Sequence, residues 1–101
     1  MTEERRAAVS AAEEKIRELM GRLLHMKREG FSYDLRYDGD TGWIGIIKWD
    51  LTGPYERSVE ERFWRSDYPN GVRLFNLRYH SLDELIAWLD AEAREGVKQS
   101  C

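Results

Sequence analysis

Residues 31–51 read FSYDLRYDGDTGWIGIIKWDL, and this stretch predicts two β-strands joined by a turn. In its first part apolar and polar residues alternate, which is the pattern of a half-buried strand. Residues 38–42 contain two aspartates and two glycines, which favour a turn. Residues 43–51 carry apolar side chains on both faces, so this strand should be central in the sheet or should meet a partner with its outer face. The apolar set of the first strand is Phe31, Tyr33, Leu35 and Tyr37.

Two further strands are predicted downstream. Residues 56–65 form a weaker third strand, and residues 72–79 form a fourth. Asn70-Gly71 lies between them and indicates a two-residue hairpin turn, because both residue types tolerate positive φ. The irregular residues 66–69 leave the register of this hairpin open. A two-residue loop would pair Trp64 with Leu77 and Arg62 with Tyr79.

Residues 3–29 are predicted to form one long amphipathic helix. Apolar residues recur at alternating steps of three and four, which places them on one face, and Gly30 is suited to end the helix. The stripe follows a heptad for only about three repeats, so packing on a sheet is favoured over a coiled coil. The stripe consists of Val9, Ala12, Ile16, Leu19, Leu23 and Met26.

A shorter helix is predicted over residues 81–95. Ser81 and Glu84 have the spacing of a capping box, in which each side chain satisfies a free amide at the helix start. Gly96 is expected to end this helix and to leave residues 97–101 as a tail. Its apolar stripe consists of Leu82, Leu85, Ile86, Leu89 and Ala93.

These elements predict a single α+β domain over residues 1–101, in the order α-β-β-β-β-α. Residues 31–79 should form a four-stranded antiparallel meander. The long N-terminal helix and the short C-terminal helix should pack on one face of it. A chain of 101 residues suits one core of this kind.

The composition argues against membranes and duplex DNA. The net charge is -3 and the strand region is close to neutral, so there is no strongly basic surface to track phosphates. No apolar run approaches the roughly 20 residues that cross a bilayer, and the N-terminal residues lack a signal-peptide apolar region. The single cysteine, Cys101, cannot form an intrachain disulfide. We therefore expect a small soluble cytoplasmic protein with no membrane contact.

No motif in the chain predicts catalysis or a metal site. Asp38-x-Asp40-x-Gly42 begins like a calcium loop, but glycine and tryptophan follow where further ligands belong. His25 and His80 have no histidine or cysteine at ligand spacing. We therefore expect a protein that is not an enzyme and that holds no metal or cofactor.

Large aromatic residues are the feature most suggestive of function. Four Trp and five Tyr exceed what a sheet covered on one face by helices needs. Aromatic side chains on an uncovered face usually mark a binding surface or a dimer contact. The predicted binding residues are Tyr33, Tyr37, Trp43, Trp49, Trp64 and Trp88, with basic contacts from Arg36, Lys48, Arg62 and Arg78.

Three hypotheses follow from these residues. The first is an interaction protein that self-associates as a homodimer through the aromatic sheet face, or that binds another protein there. The second is a small-molecule pocket between the long helix and the sheet, lined by Tyr33, Tyr37, Trp49 and Trp64. The third is single-stranded nucleic acid binding on the aromatic and basic face. Nucleic acid is the least expected partner, because acids balance bases in the strand region.

Overall fold

The computed structural model describes the backbone of residues 3–100 and the side chains of these residues except Arg5 and residues 96–100. Within this range the chain folds as an α+β domain with a five-stranded mixed sheet. The helices are α1 (Glu3–Ala11), α2 (Glu13–Leu24) and α3 (Leu82–Ser100). The strands are β1 (Phe31–Asp38), β2 (Trp43–Asp50), β3 (Arg57–Arg65), β4 (Val72–Leu74) and β5 (Leu77–Tyr79).

The predicted long helix over residues 3–29 is two helices with a break at Ala12. The amide of Ala12 lies 3.2 Å from the carbonyl oxygen of Ala8 and 3.1 Å from that of Val9. A donor shared in this way tightens the chain locally, so one α-helix ends and the next begins. Ala12 itself has φ -94° and ψ 0°, outside the regular helical values.

α2 ends at Leu24, short of the predicted end at residue 29. Gly30 has a φ of +85°, but it serves the entry to β1. Its carbonyl accepts a hydrogen bond of 2.8 Å from the amide of Leu51. Residues 25–29 lie outside the helix, and this conformation places Arg28 beside the buried carboxylate of Glu92. Arg28 and Glu92 are 64 residues apart in the sequence, so the apolar pattern of residues 3–29 cannot predict their contact.

β1 and β2 form the predicted antiparallel hairpin, closed by the pair Asp38 and Trp43. The carbonyl oxygen of Asp38 accepts a hydrogen bond from the amide of Gly42, and its carboxylate accepts one from the amide of Asp40, each at 2.9 Å. Gly42 has a φ of +69°, and a Cβ there would collide with Ser66. Both the conformation and the close approach therefore require glycine.

The C-terminal part of the sheet differs from the predicted antiparallel meander. The predicted strand over residues 72–79 reverses at Phe75-Asn76 and forms two short strands, β4 and β5. β5 lies beside β3 and runs parallel to it, with Phe63 paired to Tyr79. The strand order is β1-β2-β3-β5-β4, so the sheet has five strands instead of four and includes one parallel contact. The predicted pairs Trp64–Leu77 and Arg62–Tyr79 are not formed.

Contacts within residues 66–71 explain this difference. The indole Nε1 of Trp64 donates a hydrogen bond of 3.2 Å to the carbonyl oxygen of Pro69. The ring of Tyr68 stacks on that of Tyr79, with centroids 6.4 Å apart. Gly71 has a φ of +87° and passes so close to β5 that a Cβ would lie 2.8 Å from the Tyr79 carbonyl oxygen. The Asn70-Gly71 signal therefore marks a real turn, but within a wider connection that leads past β5.

Both α2 and α3 pack on one face of the sheet, as predicted. The core between them contains apolar side chains from α2, β2, β3 and α3, and partly buried residues of α1 and β1 pack against it. The side chains buried most completely are Leu19, Ile44, Ile46, Trp64, Leu85 and Leu89.

α3 begins with the predicted capping box. The Ser81 hydroxyl accepts a hydrogen bond from the Glu84 amide, and the Glu84 carboxylate accepts one from the Ser81 amide, each at 3.2 Å. The helix continues through Gly96 to Ser100, beyond the predicted end at residue 95. Cys101, the last residue of the predicted tail, lies outside the described residues. Among the described helices, none combines the length and the apolar character that crossing a bilayer requires.

Candidate interaction surface

The pairing register divides the sheet residues between two faces, because paired residues point to the same side. The pairs Leu35–Ile46 and Ile44–Trp64 face the helices. Alternate residues point the other way, and none of them belongs to the core cluster. We call this second side the open face. It carries Ser32, Asp34, Arg36, Asp38, Trp43, Gly45, Ile47, Trp49, Ser58, Glu61, Phe63, Arg65, Val72, Leu74, Leu77 and Tyr79.

Two stacked rings occupy the centre of the open face. Trp43 and Phe63 have ring centroids 5.1 Å apart and ring planes 28° apart. They lie over Gly45, where a Cβ would be 2.7 Å from Cη2 of Trp43 and 3.0 Å from Cδ1 of Phe63. The side chain of Ile47 is only 4% exposed although it points away from the helices. The aromatic residues therefore already cover much of this face within one chain.

Apolar exposure is greatest at the turn between β4 and β5. Phe75 is fully exposed and has a φ of +55°, a region that bulky residues rarely adopt. Leu77 beside it is 43% exposed. The combination of full exposure and an uncommon backbone conformation makes Phe75 a candidate for contact with another molecule. Alternation alone does not reveal Phe75 as a turn residue, so the sequence analysis placed it inside a strand.

β1 forms one edge of the sheet and is unpaired on its outer side. Its eight residues contain no proline, and its register with β2 is continuous. Asp34 and Arg36 are exposed on its open face. Neither charge forms an ion pair with another residue in the described part of the chain. Such an edge presents free backbone donors and acceptors to an additional strand.

Two of the predicted aromatic residues lie in the core instead of on the surface. Trp64 is fully buried, and Trp88 is 7% exposed. Tyr33 packs edge-on against Trp88 with centroids 6.3 Å apart, on the helix side of the sheet. Trp43 and Trp49 are the predicted tryptophans that lie on the open face.

The Tyr33 and Trp88 side chains converge on a buried carboxylate that the sequence analysis did not single out. The Tyr33 hydroxyl and the Trp88 indole donate hydrogen bonds to Glu92 at 3.0 and 3.1 Å. Glu92 also forms ion pairs with Arg28 and with Lys48. The position of Glu92, three residues after Leu89 on the apolar stripe of α3, is a sequence signal that its side chain faces the core.

The Glu92 cluster has an excess of buried positive charge. Burial is the main cause that lowers the pKa of Lys48, and the Arg28 guanidinium lowers it further. Burial also raises the pKa of the Tyr33 hydroxyl. Both cations lie over the ring of Phe31, at 4.4 and 4.7 Å from its centroid, which offers a second favourable contact. Because Glu92 accepts hydrogen bonds from four side chains, the cluster joins the connection between α2 and β1, the sheet and α3.

The four predicted basic contacts do not form one stripe. Arg36 lies on the open face, whereas Lys48 and Arg62 lie on the helix face. The Arg62 guanidinium stacks over the Trp88 ring at 4.7 Å, and Arg78 donates a hydrogen bond of 2.8 Å to Glu84. These cations are therefore distributed over both sides of the sheet.

The residues predicted to line a small-molecule pocket are also separated. Trp49 lies on the open face and Trp64 in the core, so the sheet stands between them. Tyr37 is 50% exposed and lines an open groove of about 760 Å³ against α1 and α2. Within the described part of the chain, no group of three or more histidine, cysteine or acidic side chains is arranged to hold a metal ion.

Comparisons of this chain with protein-family models, with curated proteins and with solved structures found no match.

Proposed function

We propose that this protein is a non-catalytic interaction protein that self-associates through the open side of its sheet. The main support for the proposal is that no open-face side chain belongs to the core that the helices help to form. The unpaired β1 edge borders the same face. Such a side offers both apolar surface and backbone hydrogen-bonding groups to a partner. A second copy of the chain is the simplest partner, since two-fold pairs are the commonest assemblies of soluble proteins.

The Glu92 cluster supports a role that does not involve catalysis. A general base needs a carboxylate that can reach a substrate proton. The oxygens of Glu92 instead accept five hydrogen bonds from Arg28, Tyr33, Lys48 and Trp88. Its side chain is 10% exposed, on the side of the sheet opposite the open face. We assign this cluster to stability.

The experiment that tests the proposal is light scattering over a dilution series under reducing conditions. Cys101→Ser serves as the control, because oxidation of Cys101 would link two chains covalently. We expect both proteins to have twice the chain mass at high concentration and to dissociate together on dilution. A monomer mass at every concentration would contradict self-association.

Phe75 favours a second candidate function, the binding of a different protein at the β4–β5 turn. A photo-crosslinking amino acid at residue 75 tests this, with Tyr55 as the matched control because it is also an exposed loop aromatic, at 84%. We expect a crosslinked product in cells at residue 75 that is absent at residue 55. Identical products from both positions would contradict a specific contact.

A further inference from the structure

The backbone of β1 shows which of its groups face the free edge. The Leu51 amide donates to the Gly30 carbonyl, and these residues continue the β1–β2 register by one pair. In an antiparallel pair, hydrogen-bonded residues alternate with residues whose N–H and C=O point away. Counting from Gly30, the even-numbered residues of β1 bond to β2. The free edge is therefore formed by the N–H and C=O groups of Phe31, Tyr33, Leu35 and Tyr37.

This edge lacks most of the usual protection against pairing. Natural edge strands are short, or carry charged side chains, proline or a bulge. β1 has eight residues with no proline and no bulge, and its charged residues Asp34, Arg36 and Asp38 are of both signs, so they can pair with a second copy as well as repel one. The irregularity in this part of the sheet lies between Lys48 and Trp49 in the β2–β3 pairing, away from the edge.

The charges and the length of β1 together favour one register for pairing with a second copy. An antiparallel two-fold arrangement centred on Asp34 would place Asp34 opposite Asp34, and one centred on Arg36 would place Arg36 opposite Arg36. Centring on Leu35 places Asp34 of each copy opposite Arg36 of the other, so opposite charges meet twice. These pairs fall at positions without backbone hydrogen bonds, where facing side chains are closest. The free groups of Leu35 and Tyr33 then meet those of Leu35 and Tyr37. Centring the two-fold axis on Tyr37 would also place Arg36 opposite Asp38, but it would align only residues 36–38 of the strand.

We propose that a second copy of this chain adds its β1 antiparallel to β1, with the two-fold axis at Leu35. The inference rests on the proposed self-association and specifies its contact. About six backbone hydrogen bonds would join the two sheets into one continuous sheet. Edge pairing is favoured over face-to-face packing because Trp43 and Phe63 stack on each other and Ile47 is already only 4% exposed within one chain. The two open faces would then lie side by side.

Charge reversal tests this register. Asp34→Arg places arginine opposite arginine twice, and Arg36→Asp places aspartate opposite aspartate twice. We expect each variant alone to raise the dimer dissociation constant roughly tenfold or more at low salt. An equimolar mixture of the two variants should form heterodimers, and the double variant should regain the wild-type dissociation constant. Glu61→Arg is the matched control, because it reverses one charge on the same face two strands from the edge.

The outcomes separate the two proposals. A wild-type monomer at all concentrations contradicts both self-association and the β1 contact. A wild-type dimer whose dissociation constant is unchanged by Asp34→Arg and Arg36→Asp contradicts the β1 contact alone. Variants that dissociate but fail to form heterodimers also contradict the register. Recovery in the mixture would support it, and misfolding of the single variants does not produce such recovery.

Discussion

The ammonium nitrogen of Lys48 on β2 lies 3.1 Å from both carboxylate oxygens of Glu92 on α3. The two side chains are 14% and 10% exposed, and Arg28 shares the same carboxylate. Glu92→Gln would leave two buried cations facing a neutral amide. We expect this change to lower the free energy of unfolding by about 3–5 kcal/mol, because an uncompensated buried charge costs that much. Urea denaturation measures it.

Asp90→Asn is the matched control for Glu92→Gln on the same helix. Asp90 accepts a hydrogen bond of 3.3 Å from Arg22, and both side chains are about 40% exposed. An exposed pair contributes less than about 1 kcal/mol. Equal losses from the two variants would contradict the special role of Glu92.

The capping box connects stability to pH. The hydrogen bond from the Ser81 amide is the main cause that lowers the pKa of Glu84 below its ordinary value of 4.5, with further lowering by His80 and Arg78. A carboxylate with a lowered folded pKa stabilises the fold above the unfolded value, and this stabilisation is lost as the pH falls through the folded value. We therefore expect the free energy of unfolding of the wild type to decrease below about pH 5.

Glu84→Gln should remove part of this pH dependence. Urea denaturation at several values between pH 3 and pH 7 gives the slope for wild type and variant. Glu18→Gln, an exposed change on α2, controls for the altered net charge. A Glu84→Gln slope as steep as that of the wild type would show that the capping carboxylate is not responsible.

The close approach of Trp43 and Phe63 to Gly45 predicts a specific packing defect. In Gly45→Ala the new methyl group would displace both rings, since a Cβ would lie 2.7 and 3.0 Å from them. We expect a loss of about 1–3 kcal/mol in the free energy of unfolding, with a changed near-ultraviolet circular dichroism signal from Trp43. Gly21→Ala is the control, because nothing lies within 4 Å of its Cβ position in α2. That variant should be more stable by up to about 1 kcal/mol.

The parts of the fold that local patterns determine were predictable. Alternation in residues 31–38 and the Asp38 to Gly42 turn predicted the β1–β2 hairpin, and Ser81 with Glu84 predicted the start of α3. These features depend on residues close together in sequence. The number of strands was not predictable, because the chain reverses at Phe75. A bulky residue rarely adopts positive φ, so phenylalanine does not indicate a turn in the sequence.

The candidate surface was predictable only in part, because most of its contacts join residues that are far apart in the sequence. The apolar residues on both faces of residues 43–51 did not indicate which face meets the helices, and only the register places Trp43 and Trp49 on the open face. The parallel contact of β5 with β3 depends on Trp64 and Tyr68, whose partners are set by tertiary packing. The Glu92 cluster was not predicted, because it joins Arg28 to residues of β1, β2 and α3 that lie far apart in sequence.

Phe75 provides the clearest separation of stability from binding. Its ring is fully exposed and its φ is +55°, so removing the ring costs no buried contact while a residue that tolerates this conformation relieves strain. We expect Phe75→Asn to be more stable than Phe75→Ala by about 0.5–1 kcal/mol, because asparagine adopts positive φ more readily. Thermal and urea denaturation of both variants measure this difference. If both variants lost more than about 1 kcal/mol relative to the wild type, the Phe75 ring would have to pack within the chain, and it would not be free for a partner.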